Sequence, residues 1–139
     1  MSVSQRKICV SVDIDAIRHY HAIHGLRDDT AYGTDPVWTF AISRFLDLFA
    51  RLELRATFFV VASDLIVCSE GGAVQDNTEV LRRRQLVRQI ISSGHEVASH
   101  SSQHDYALSV RPRDEIRADL VRARDVLNEV IGKPVCGFR

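Results

Sequence analysis

Short β-branched apolar runs alternate along this chain with longer stretches of helical periodicity, and that alternation limits its folds more than any other feature. Ile8-Cys9-Val10-Ser11-Val12 is about a strand long and is followed by acidic residues, so it reads as a buried strand ending where polar groups reach solvent. After a polar stretch through Gly33, Asp35-Pro36 opens a helix, with Asp35 as N-cap and Pro36 in the first turn. Trp38, Ile42, Phe45, Leu46, Leu48, Phe49 and Leu52 recur along it near helical spacing. The run from Ala56 to Val61 is continuously apolar apart from Thr57, as in a parallel strand covered on both faces. Val80, Leu81, Leu86, Val87, Ile90 and Ile91 mark a second helix, ended by Gly94, and the residues from His95 to Ser99 make a weaker third strand. Pro112 introduces a third helix running to Ile131, Gly132 stops it, and Pro134 to Phe138 begins a fourth strand. The order β-α-β-α-β-α-β predicts an α/β fold with a parallel sheet built by crossover helices, in one domain spanning residues 1–139.

In such folds catalytic groups gather at the carboxyl ends of the strands. Asp13 and Asp15 follow the first strand, His100 and His104 the third, and Arg139 the fourth, so all five stand where that rule places a site. Eighteen basic and eighteen acidic side chains leave the chain formally neutral, without the positive field that attracts nucleic acid. The early apolar run is too short for a signal sequence or a membrane span, so the expected location is cytoplasmic, with no membrane partner. Cys9, Cys68 and Cys136 are odd in number and widely spaced, which reads as buried free thiols rather than a disulfide framework.

His100 and His104 are four residues apart, a separation that one helical turn or a tight loop closes so that both imidazoles reach one cation. Asp13-Ile14-Asp15 places two carboxylates at a strand end, with Ile14 free to point into the core. One carboxylate can complete a site of two histidines and one acid, and the other can act as a base toward water polarised by the metal. That chemistry suits hydrolysis of amides and esters.

Four segments taken together carry a resemblance. They are Ser11-Val12-Asp13-Ile14-Asp15, the run from Arg55 to Val60, the run from Gly94 to His104, and Gly137-Phe138-Arg139. In order and spacing they resemble the NodB-type polysaccharide deacetylases of carbohydrate esterase family 4. The resemblance implies Asp13 as general base and Asp15, His100 and His104 as ligands of a divalent metal, usually zinc, with cobalt or nickel as alternatives. It implies Arg139 as the residue orienting the base, and a distorted (β/α) barrel as the fold. In the family the first-motif aspartates are usually adjacent, whereas Ile14 separates them here, as in members acting on small amides as well as on peptidoglycan.

The expected function is therefore metal-dependent hydrolysis of carbon–nitrogen bonds other than peptide bonds, deacetylating N-acetylated carbohydrate such as peptidoglycan or chitin-like oligomers. The alternatives are an allantoinase-like hydrolase of small amides or ureides, a deformylase, or a remnant that binds without turnover. Because the resemblance stops within the family's third motif, the expectation is about half a barrel, lacking the later histidine that serves as general acid. Such a piece would be inactive and would self-associate through an open sheet edge. His19, His21 and His24 read as a solvated loop or helix face, His95 as a hydrogen-bonded structural histidine, and Arg82-Arg83-Arg84 as a solvated face. Trp38 and Phe45 read as the core side of their helix.

Overall fold

A computed structural model of the chain describes residues 7–27, 35–66 and 77–139. Strands β1 (Val10–Ile14), β2 (Ala56–Val60) and β3 (Glu96–Ser99) form one parallel sheet in the order β1-β2-β3. Register pairs Val12 with Phe58 and Phe58 with Val97, so alternate residues of the three strands share a face. One face carries Val10, Val12, Ile14, Ala56, Phe58, Val60 and Val97, all of them part of the apolar core or packed against it. Ser11, Asp13, Thr57, Phe59, Glu96 and Ala98 lie on the other face, because successive side chains alternate across a strand.

Helices α2 (Ile42–Arg51), α3 (Asn77–Ser92) and α4 (Arg113–Ile131) supply the rest of the core. Ile42, Leu46 and Phe49 of α2, Val87 and Ile90 of α3, and Leu127 and Val130 of α4 are buried against the sheet. Two residues after α3, Gly94 at φ 84° carries the chain back toward the sheet without the penalty a Cβ would bring. The α/β alternation expected from the periodicity is thus observed through β3 and α4, with a further short helix, Ile17–Ile23, after β1.

The fourth strand is much shorter than expected. It consists of a single parallel bridge between Ser99 and Phe138, made by the Ser99 N–H donating to the Gly137 carbonyl and the Arg139 N–H donating to the Ser99 carbonyl. Pro134 has no N–H to offer a ladder, and the Val135 N–H is already taken by the side chain of Asn128 in α4. Gly137 is required at this approach, since a Cβ there would lie 2.9 Å from that of Ala98.

Several side chains depart from the sequence reading. Trp38 is buried as expected, but Phe45 is 38% exposed, because α2 turns only one stripe inward. A π-helical turn over Val37–Ala41 precedes α2 and shifts its phase. Cys9 and Cys136 are exposed rather than buried, both lining a cavity of about 510 Å³ at the amino ends of the strands; Cys68 lies outside the described residues. His95 is structural: its Nδ1 accepts the Ala56 N–H at 3.2 Å, and its ring packs edge-on against Phe49 and Phe58. Burial, and then the charge of Arg55, hold its pKa below the usual histidine value. Among the described residues no helix is long and apolar enough to cross a membrane.

Candidate metal centre

Three loops converge at the carboxyl ends of the strands. Asp15 follows β1 directly, and Ile14 before it is fully buried, so the core anchors the strand end while the acids on either side face the opposite way. His100 follows β3, with its N–H donating to the Val60 carbonyl of β2. The segment from His100 to His104 is a tight loop rather than a helical turn, with Ser101 at φ 64° and His104 at φ 55°. Left-handed backbone is uncommon for such residues and has to be held by its surroundings. The Ser101 hydroxyl accepts the His104 N–H at 2.9 Å, and Asp119 of α4 accepts the Ser102 N–H at 2.8 Å. The Ser101 and Ser102 carbonyls receive the Ala62 and Ser63 N–H groups from the turn after β2.

That loop brings three ligand atoms together. His100 Nε2 and His104 Nε2 are 3.2 Å apart, and each is 3.4 Å from Asp15 Oδ1. A cation bonded at about 2.0–2.2 Å to three such atoms would space them by about 2.9–3.5 Å. Tautomer chemistry fits as well. His100 Nδ1 lies 2.7 Å from the main-chain oxygen of Arg139, which can only accept, so in the neutral ring the proton is on Nδ1 and the lone pair on Nε2. Asp15 Oδ1 is buried without a hydrogen-bond partner among the described residues. Burial is the main influence on His104 and lowers its pKa; His19 and His100 act in the same direction, and Asp15 against them. A neutral imidazole is the form that binds metals. The three residues therefore suit a divalent cation on distance and donor type.

Asp13, on the face of the sheet opposite Ile14, is reached by Arg139. The Arg139 guanidinium donates to the Ser11 hydroxyl at 2.8 Å, reaches Asp13 Oδ1 at 3.4 Å, and lies 5.7 Å from the centre of the Phe59 ring. A cleft of about 450 Å³ opens beside the histidines, lined by His100, His104, Tyr106, Leu120, Phe138 and Arg139.

Residues 28–139 match the profile described as polysaccharide deacetylase, which is well over half the chain. The chain belongs to the polysaccharide deacetylase family. Over 103 residues it is 27% identical to a peptidoglycan-N-acetylglucosamine deacetylase of Bacillus cereus, covering 74% of this chain and 39% of that one. A Mycobacterium smegmatis structure assigned to the polysaccharide deacetylases superposes with a TM-score of 0.65 at 25% identity, over 94% of this chain and 41% of that one. A family 4 acetyl xylan esterase of Clostridium thermocellum, solved with a cobalt ion, gives 0.58 at 24% identity over 94% and 46% of the two chains. This chain thus spans about two fifths of the length of the deacetylases it matches.

A second cluster adjoins the triad and was not foreseen. Asp64, in the 3₁₀ turn Ala62–Leu65 after β2, is fully buried, and its Oδ2 accepts the Trp38 indole N–H at 3.2 Å. Its Oδ1 faces the Arg18 guanidinium in an ion pair, with His19 Nε2 at 3.8 Å and Arg83 Nη1 at 3.9 Å. Burial on its own would raise the Asp64 pKa, but His19 and the charges of Arg18 and Arg83 outweigh it and hold the carboxyl below its usual range. Arg83 is therefore no solvated residue. It is 1% exposed, pairs with Glu79 at 3.0 Å and lies over the Trp38 ring. His19, expected on a solvated face, is buried on α1 (Ile17–Ile23), with its ring centre 4.8 Å from that of His104.

Proposed function

We propose that residues 1–139 form part of one catalytic domain that removes N-acyl groups from carbohydrate, with Asp15, His100 and His104 holding the metal. The observation that carries this reading is the near-equilateral set of two imidazole nitrogens and one carboxylate oxygen, 3.2 to 3.4 Å apart. Zinc suits a site of this composition, and cobalt or nickel would also be accepted. When bound, such an ion polarises an acyl carbonyl and lowers the pKa of a coordinated water.

The chain's own residues supply the base and orient the groups around it. Asp13 is the base that takes the proton from the attacking water, its carboxylate beside the Arg139 guanidinium. Ser11 fixes that guanidinium from β1, and Phe59 supports it from β2. The main-chain oxygen of Arg139 orients His100, so the residue serves the base through its side chain and the ligand through its backbone. The Bacillus cereus relative named for N-acetylglucosamine in peptidoglycan makes N-acetylglucosamine polymers the first substrates to try.

The experiment is a hydrolysis assay with zinc or cobalt added, following acetate release from N-acetylglucosamine oligomers and peptidoglycan, ring opening of an allantoin-like ureide and formate release from a formamide. It uses the protein carrying these residues together with whatever chain completes its domain. Deacetylation that falls about 10²-fold or more in Asp13→Asn while the metal content is unchanged is the expected result. Release of the metal by Asp13→Asn and its retention by Asp15→Asn would exchange the two roles. Turnover of the ureide or the formamide alone would replace the carbohydrate substrate with a small amide.

A further inference from the structure

We infer that His19 is a positioning residue for His104, its ring and that of Tyr106 clamping the imidazole of that ligand. The inference rests on the metal-site reading and concerns a side chain outside the triad. His104 sits in left-handed backbone at φ 55°, so its local chain does not by itself favour the orientation it adopts. Its ring is instead enclosed. His19 lies against it at 4.8 Å between centres with the planes inclined at 44°, and Tyr106 meets it edge-on, also at 4.8 Å. The Tyr106 hydroxyl reaches back to the His19 main-chain oxygen at 3.4 Å, so the two walls are tied to each other.

His19 is itself firmly placed. α1 begins two residues after Asp15, and the Ile17 N–H donates to Asp35 Oδ2 at 2.9 Å while Oδ1 of the same carboxylate accepts the Val37 N–H at 2.9 Å. Asp35 thereby locks the first turn of the helix that carries His19 to the start of the next helical segment. At its far side the His19 ring faces Asp64 Oδ1 at 3.8 Å, longer than a hydrogen bond. Asp64 also has the Arg18 guanidinium, the Trp38 N–H and the nearby charge of Arg83, so its carboxylate is partnered on several sides besides that of His19. Toward His104, His19 supplies a tilted ring contact from α1, on a wall distinct from that of Tyr106. Partners of this kind, which orient a ligand without touching the metal, are typically worth about 10–100-fold in metal affinity.

The test is titration of the purified chain with Co²⁺, following both the dissociation constant and the visible absorption band, in the wild type, His19→Leu, His19→Phe and His104→Ala. Thermal melting without metal shows that each variant is folded. Leucine fills the volume without a ring, whereas phenylalanine restores the ring without its nitrogens. The expected result is affinity weakened about tenfold or more in His19→Leu with a displaced band, and most of both recovered in His19→Phe. Wild-type affinity and band in His19→Leu, with binding lost in His104→Ala, would overturn the positioning role and leave the metal site standing. Equal losses in the Leu and Phe variants would overturn it too. Wild type and His104→Ala binding alike, or neither binding, would remove the metal site and this inference with it.

Discussion

Asp15 and Asp64 lie at the same end of the sheet, each beside imidazole rings, and differ in the charge around them. Asp64 is fully buried among Arg18, Arg83 and His19, whereas Asp15 is 37% exposed and faces the Nε2 atoms of His100 and His104. The first carboxylate is balanced within the chain by guanidinium groups that stay charged at any ordinary pH. The second meets nitrogens that offer lone pairs when neutral, a set of donors that a cation organises. On the proposed reading one cluster serves folding and the other metal binding, and His19 touches both.

If that division is right, the largest effect on stability comes from Asp64. Asp64→Ala removes the buried carboxylate that faces Arg18 and Arg83 and should destabilise the chain by about 3–5 kcal/mol in urea unfolding, because breaking a buried ion pair from one side is expensive. Asp15→Ala, measured without metal, should lose much less or nothing, since it relieves rather than exposes an imbalance. Comparable losses in the two variants would break the comparison.

Acid titration sharpens it with a smaller effect. The Asp64 pKa in the folded chain is below the usual 3.8, so its contribution is fully present above the unfolded value and drains away as pH falls through the lower folded value. The stability difference between wild type and Asp64→Asn should accordingly hold steady from neutral pH to about pH 5 and shrink below about pH 4. A difference that already fell between pH 7 and pH 5 would mean that a histidine, not this carboxylate, governs the cluster.

The triad was legible in the sequence and the Asp64 cluster was not, for a physical reason. Asp15, His100 and His104 follow strands whose apolar runs are unmistakable, and strand ends in a parallel sheet converge. Arg82-Arg83-Arg84 looks like a charged surface because a run of three conceals that helical periodicity turns the middle one inward. Its partner Asp64 belongs to a different element, and Arg18 and His19 to a third, so no local pattern joins them. Phe45 and the exposed cysteines were misread because exposure depends on which neighbours cover a face, and composition does not show that. The fourth strand was readable as an intention of the chain but is realised only at Phe138.

The central claim is that Asp15, His100 and His104 hold one divalent ion. Calorimetric titration with Zn²⁺ at neutral pH, on the wild type and on His100→Ala, His104→Ala and Asp15→Asn, tests it most directly. The account predicts one ion per chain in the wild type and affinity reduced by at least about tenfold in each variant, with Asp64 and its partners unaffected. Equal affinity and stoichiometry in all four proteins would contradict it.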